Sequence, residues 1–555
     1  MLIFRNKICY PIALLVYWFF TSSAVAQENK IPVIDKASKQ LLVNNQPYLI
    51  LGGELANSSA AGSQYLNDIW PRLSALNLNT VLVPVYWEQL EPSENSFDFA
   101  LVDLAIKNAR ATNMKLVFLW FGSWKNSMSS YTPAWVKKDV ARFPLAENKK
   151  GERQAILSPF STNNLQADIR AYSALLSHIK TIDSQNRTVI MIQVENEVGM
   201  LPDARDYSAA ANAAYKESVP KELINYLQNC KETDAVVTAW QSKGKLTSGS
   251  WSQVFGESIA TEEFFIAWYL ANYTNAVAAA GKAIYPLPTY VNAALNKNGL
   301  LPGQYPSGGP LPHLTSIWKA AGNAIDILSP DFYNPDFTRW NDLYYREDNP
   351  LFIPEIRYEP SNAMKAYYAI GHYNALGFSP FSIDSDPAPA KSPLAKAYVH
   401  LQSLTPVIAK AKAEQFTRNE KLLDGVLLDK EHPSTTLTFG TTEITLKHEY
   451  TLSWSPGAKE EHWPEVGALI IKLSETEYLF AGSGVVATFK DSTQKNTLGI
   501  ESIWEGNYVA DVKKPNEMSQ WISGRLLNGD ESHQGRHLNL PYSEFGAQRI
   551  KLYKY

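Results

Sequence analysis

Two stretches of this 555-residue chain place acidic residues where an apolar strand should end. Residues 190–199 read IMIQVENEVG, an apolar run that finishes in Glu195, Asn196 and Glu197. Residues 350–357 read PLFIPEIR and finish in Glu355 and Arg357. A carboxylate is costly to bury unless it has a partner or a task. An ion pair with an arginine such as Arg357 is one solution. The other is chemistry. Two carboxyls that face each other across a cleft can split a glycosidic bond: one protonates the leaving oxygen, the other attacks the anomeric carbon or activates water. A pair about 5–5.5 Å apart retains the anomeric configuration, and one about 6.5–9.5 Å apart inverts it. Residues two apart in a strand share a face. Glu195 and Glu197 are therefore expected to point the same way, Glu195 one layer deeper as a paired structural carboxylate and Glu197 at the rim.

Such a pair needs strands that bring their ends together. Near-continuous apolar runs at residues 47–55, 79–87, 115–122 and 187–197 read as strands. Between them lie helical patterns: Leu66, Ile69, Leu73 and Leu76 at helical spacing, residues 99–112, and residues 165–182 with Leu165, Ile169, Tyr172, Leu176 and Ile179 on one face. Four more strands are expected at 286–295, 324–333, 350–357 and 375–384, the first of them after a helical stretch around 262–281. Eight strands alternating with helices over residues 27–412 predict an α/β fold, a (β/α)8 TIM barrel. An open doubly wound sheet is disfavoured, because no glycine-rich phosphate loop follows the first strand. From residue 413 to 555 the pattern turns to short alternating strands, as in TTLTFGTTEITLKHEYTLSW, and predicts an all-β, sandwich-like accessory domain. The run AENKKGERQ at 146–154 reads as a solvated turn.

Residues 1–26 read as a signal peptide: Arg5 and Lys7, an apolar stretch, then small residues at Ala24 and Ala26 with a cut after Ala26. The protein is expected to be exported, to the periplasm or beyond, with no stable membrane insertion after cleavage. Of two cysteines, Cys9 leaves with the signal, and Cys230 alone forms no internal disulfide. A net charge of −4 gives no footprint for nucleic acid. No cofactor and no metal are expected, since neither an H-E-x-x-H motif nor paired cysteines occur. GSGVV lacks the form of a serine nucleophile elbow. The 15 Trp, 29 Tyr and 22 Phe serve either a large core or a sugar-binding surface.

Barrel enzymes carry their chemistry at the C-terminal strand ends. The groups expected there are Glu54; Trp87 and Glu88; Trp120, Ser123 and Trp124; Asn196 and Glu197; Asp331 and Tyr333; Glu355 and Arg357; and Asp384. Trp87, Trp124 and Trp251 are candidate walls of a sugar pocket, each with core packing as the alternative. Glu257 lies in a loop, where it contacts sugar or is solvated.

IQVENEVG and PLFIPEI resemble the acid/base and nucleophile segments of glycoside hydrolase family 35, the β-galactosidases. VYWEQLEPSENSFDF at 85–99 and TPAWV at 132–136 are similar to further segments of that family, and the resemblance covers about residues 40–412. It implies a retaining exo-β-galactosidase with Glu197 as acid/base, Glu355 as nucleophile and Asn196 on the sugar 2-hydroxyl, acting on a galactosylated oligosaccharide such as a plant cell-wall xyloglucan fragment. Glu355 is expected to raise the proton affinity of Glu197, with Arg357 or Tyr333 helping Glu355 to stay ionised. WFGSWKN stands where many members carry Cys-Ala-Glu, and Glu88 stands where an amide is commoner, so the sugar contacts differ. Another retaining exo-glycosidase, such as an arabinosidase, and a non-catalytic glycan-binding protein are the alternatives. Oligomeric state is not legible.

Overall fold

A computed structural model describes residues 30–296, 298–509, 520–542 and 544–555. The expected leader and its cut after Ala26 lie outside the described residues. Eight parallel strands close into a barrel: β1 (Ile50–Glu54), β2 (Thr80–Tyr86), β3 (Lys115–Lys125), β4 (Val189–Asn196), β5 (Thr289–Ala294), β6 (Ile327–Phe332), β7 (Ile353–Ile356) and β8 (Gly377–Pro380), each paired with its sequence neighbours and β8 with β1. All eight strands lie within the spans read from the sequence, except that β3 runs three residues further. Every residue of β1, β2 and β4 is buried. Strands enclosed on both faces must be apolar throughout, which is why the runs show no alternation.

Helices cover the barrel. Leu66, Ile69, Leu73 and Leu76 are all buried, in or directly after two short helices, Ser63–Asp68 and Trp70–Ala75, with Pro71 at the start of the second. The helix Thr162–Asp183 starts at Ser161, whose hydroxyl accepts the Asn164 N–H at 3.2 Å. Tyr172, Leu176 and Ile179 of the expected inner face are buried, and the departure is at the first two turns. Leu165 and Ile169 are only half-buried, while Asn164 and Asp168 are fully enclosed. Asp168 takes the inner position because three donors of β3 point at it. The turn expected at 146–154 joins a two-stranded hairpin, Leu145–Glu147 and Arg153–Leu157. A small antiparallel sheet before the barrel (Val33–Asp35, Gln40–Val43, Gln46–Pro47) has strands too short for its pattern to be read in advance.

The helix Pro393–Arg418 runs through residue 412, and the first strand after it is Leu423–Leu428. Beyond it lie a six-stranded and a four-stranded antiparallel sheet. They share a core that includes Leu428, Phe439, Ile444, Leu446, Ile470 and Phe480, the face-to-face arrangement of a sandwich. The outer face of the larger sheet lies on the barrel helix Asn362–His372. A Cβ on Gly425 would stand 2.9 Å from the Tyr368 carbonyl, so the two elements meet backbone to backbone. His372 Nδ1 and Asp424 Oδ1, 2.6 Å apart, pin this contact. Among the described residues no helix is long and apolar enough to cross a membrane.

Candidate active site

The mouth of the barrel is formed where β3 and β4 stop being regular. Trp120 pairs with Val194, but the next pair is Lys125 with Asn196, so β3 bulges between them. Across that bulge Glu195 has φ 61° and Glu197 has φ 44°, a left-handed conformation unusual for residues other than glycine. Strain of this kind persists where surrounding contacts fix it, often at functional sites. Gly122 makes the bulge possible: a Cβ there would come within 2.2 Å of Trp120 Nε1 and 2.7 Å of Glu195 Oε1.

The left-handed residues break the strand alternation, so Glu195 and Glu197 enter different groups of side chains. Glu195 accepts the Trp124 N–H at 2.8 Å and lies beside Asp168. Asp168 in turn receives Trp120 Nε1 at 2.9 Å and Ser123 Oγ at 2.5 Å. Burial, then the Asp168 charge, pushes the Glu195 carboxyl well above the usual range, so Glu195 keeps its proton inside the wall. Glu195 is the paired structural carboxylate expected, although it does not share a face with Glu197.

Glu197 takes the other side. Its carboxylate accepts the Asn126 amide, and its carbonyl accepts Ser127 N at 3.1 Å and Oγ at 3.0 Å. Its own N–H donates to Asn292 Oδ1 of β5 at 3.0 Å, and Asn292 Nδ2 donates to Asp331 Oδ2 of β6 at 2.6 Å. Glu355 of β7 accepts the Tyr333 hydroxyl. One oxygen each of Glu197, Asp331 and Glu355 lie within 4.8 Å of one another. These three groups are 1–5% exposed, and Glu54 at the end of β1 is 1% exposed.

Like charges this close cannot all ionise in an enclosed site. Burial first, then the Glu197 carboxylate, pushes Glu355 up to about 7, while Lys125 and the Tyr333 hydrogen bond pull it down. Burial and the charges of Glu355 and Glu197 raise Glu54 well above the usual range. The rise on Glu355 belongs to a carboxyl that is enclosed and faces Glu197. Asn126 and Tyr333 already donate to Glu197 and Glu355, and the ammonium of Lys125 is the neighbouring charge. That donor set holds anions and does not suit a cation.

Several buried polar atoms here have no hydrogen-bond partner: both oxygens of Glu54, both amide atoms of Asn196, Asp331 Oδ1 and Glu355 Oε2. Buried polar atoms are nearly always paired, so these atoms are open to hydrogen bonds from outside the chain.

The structure gathers Glu54, Asn196, Glu197, Asp331, Tyr333 and Glu355 of the expected residues. Trp87, Trp124 and Trp251 are corrections. All three are 0–1% exposed and offer no ring face to a ligand. Trp87 donates to Glu91 and packs on Trp120 and Trp135, Trp124 packs on Tyr273, and Trp251 packs on Phe255 and Phe265. Glu88 is a further correction. It pairs with Lys137 and borders a cavity of about 340 Å³ between β2 and the helix Ala100–Ala111, which neither catalytic candidate lines. Glu257 is exposed after Gly256, with no hydrogen bond or ion pair to Glu197 or Glu355. Arg357 is exposed with its guanidinium 5.7 Å from the Tyr333 ring centre, forming no ion pair with Glu355. The aromatic residues that do stand at the rim are Tyr333 and Phe381, 6.3 Å apart. Sequence reasoning missed Lys125, Asn126 and Asn292. A lysine and an asparagine directly after an apolar run were the available signal for the first two.

Residues 63–254 match the model of glycoside hydrolase family 42, described as Beta-galactosidase. That is a different family from the family 35 that the motifs resemble. The match includes Glu197 and ends before Glu355. Residues 394–539 match a domain of unknown function, DUF5597. A Beta-galactosidase of Xanthomonas manihotis is 26% identical over 210 residues, 36% of this chain and 32% of the relative. This chain thus spans about a third of the length of the curated relative it matches. Among solved structures, the β-galactosidase of Marinomonas ef1 is 10% identical with a TM-score of 0.45, covering 67% of this chain and 66% of that one. That of Bacillus circulans sp. alkalophilus is 16% identical with a TM-score of 0.45, covering 65% and 57%.

Proposed function

We propose that this chain is an exo-acting, retaining β-galactosidase with Glu197 as acid/base and Glu355 as nucleophile. The observation that carries the reading is the approach of Glu197 and Glu355, from the ends of β4 and β7, to within 4.8 Å between oxygens. That separation matches a retaining pair, about 5–5.5 Å, and leaves no room for the intervening water of an inverting one. The match of residues 63–254 and the name of the Xanthomonas relative support galactose as the sugar. The depth of the carboxyls, 1–5% exposed, favours a terminal sugar over the middle of a chain.

Glu355 attacks the anomeric carbon as Glu197 gives its proton to the leaving oxygen. Water then attacks the glycosyl-enzyme with Glu197 as base. Turnover needs a proton on Glu197 and an ionised Glu355. The Tyr333 hydroxyl and Lys125 favour that distribution by stabilising ionised Glu355. Asn196 and Glu54 are the sugar ligands, since their buried polar atoms lack partners. The natural substrate we propose is a galactosylated plant cell-wall oligosaccharide of the xyloglucan type, met after export to the periplasm or beyond.

The experiment is a panel of chromogenic β-galactosides and α-L-arabinosides with the purified protein and Glu355→Ala. Release from the galactosides that Glu355→Ala abolishes is expected. Faster release from the arabinosides would make it an arabinosidase. A protein that binds these sugars but releases nothing would overturn the enzymatic reading.

A further inference from the structure

Asp331 has no place in a two-carboxyl mechanism, yet it is the most enclosed of the three acids that meet at the mouth. It is 1% exposed, and one of its oxygens lies within 4.8 Å of those of Glu197 and Glu355. Asn292 fixes it from one side: Asn292 Oδ1 accepts the Glu197 N–H, so the amide nitrogen must face Asp331 Oδ2. Asp331 Oδ1 is buried and accepts no hydrogen bond. Glu355 has the Tyr333 hydroxyl and Glu197 has the Asn126 amide. A buried oxygen with no donor, on an acid whose neighbours are two carboxylates, is satisfied when it carries a proton and donates it.

We propose that Asp331 works as an un-ionised acid, donating a hydrogen bond to Glu197, and so is a positioning residue of the reaction assigned above. Its neighbours agree with this. The charges that face it are carboxylates on β1, β7 and the end of β4, namely Glu54, Glu355 and Glu197. The one ammonium near the cluster among the described residues, Lys125, acts on Glu54 and Glu355. Tyr290 of β5 and Tyr344 beyond β6 are buried phenols that bring no positive charge. Burial and the three acidic neighbours raise Asp331 well above the usual carboxylate range, and the hydrogen bond to Glu197 raises it further. With Asn292 on Oδ2 and the proposed proton directed at Glu197, Asp331 would hold both the backbone turn and the side chain of the acid/base. A neutral Asp331 also adds no third charge to the Glu197–Glu355 pair.

This inference rests on the assigned roles of Glu197 and Glu355, but its first test needs no turnover. Infrared spectra of the wild type and Asp331→Asn at pH 7 should differ by the C=O stretch of one protonated carboxylic acid. A difference showing only a lost carboxylate band would overturn the proposal. Turnover gives the second test. An amide keeps both the donor and the acceptor, so Asp331→Asn should stay within about tenfold of wild-type kcat, whereas Asp331→Ala should lose about 100-fold or more. Equal losses in both variants, with melting temperatures close to wild type, would mean that the ionised form is required. If the wild type turns over no glycoside while the acid band is present, the functional reading fails and the state assigned to Asp331 stands.

Discussion

The backbone N–H of Glu197 donates to Asn292 Oδ1 at 3.0 Å, tying the loop after β4 to the middle of β5. The left-handed residue that aims the Glu197 carboxyl is therefore fixed by a side chain nearly a hundred positions away. Asn292→Ala should leave substrate binding nearly intact and lower kcat by about 10–100-fold, because a small misplacement of a reacting group is enough for that. Steady-state kinetics check this. A rise in KM at constant kcat would mean that Asn292 binds sugar instead.

The proton on Glu355 couples stability to pH. Its value in the folded protein, about 7, lies above the ordinary 4.5. The contribution is fully present below about pH 4.5 and is lost as pH rises through 7, since folding then keeps a proton the unfolded chain has released. Glu54 shifts in the same direction. Glu355→Gln should abolish turnover, and its melting temperature should gain on the wild type progressively between pH 5 and 8. Parallel melting curves across that range would contradict the shift.

Lys125 is the cation that opposes this rise. It is 5% exposed at the end of β3, paired in register with Asn196, and its ammonium makes no hydrogen bond or ion pair among the described residues. Lys125→Met should move the acidic limb of kcat/KM to higher pH by about one unit, because an unopposed carboxyl holds its proton longer. An unmoved limb would remove Lys125 from the electrostatics of Glu355.

Gly122 tests the bulge. Its missing side chain lets Trp120 and Glu195 close on the backbone. Gly122→Ala should destabilise the fold by about 1–3 kcal/mol through overpacking. Denaturant unfolding measures it, and a variant as stable as the wild type would show that the wall can relax.

The barrel was legible because fully buried strands write themselves as unbroken apolar runs, and Glu197 and Glu355 were legible because acids at the ends of such runs stand out. Trp87, Trp124 and Trp251 were misplaced for a related reason. A tryptophan has the same spelling whether its ring faces a ligand or packs on Tyr273, as Trp124 does, or on Phe255, as Trp251 does. Asn292 lies inside an apolar run, and its role appears only when β5 is laid against β4. The common direction expected for Glu195 and Glu197 failed because alternation assumes extended backbone, and both residues are left-handed. The buried Asp168 in the first half of the helix Thr162–Asp183, where Leu165 and Ile169 are only half-buried, was not legible because its partners come from the bulge and not from the helix.

The pairing of Glu197 with Glu355 is tested most directly by the anomer first released from an aryl β-galactoside, followed by proton NMR before mutarotation. Two displacements at the anomeric carbon give β-galactose first, which then equilibrates with the α form. Initial release of α-galactose would contradict the account, since it requires a single displacement by water that carboxyls this close leave no room for.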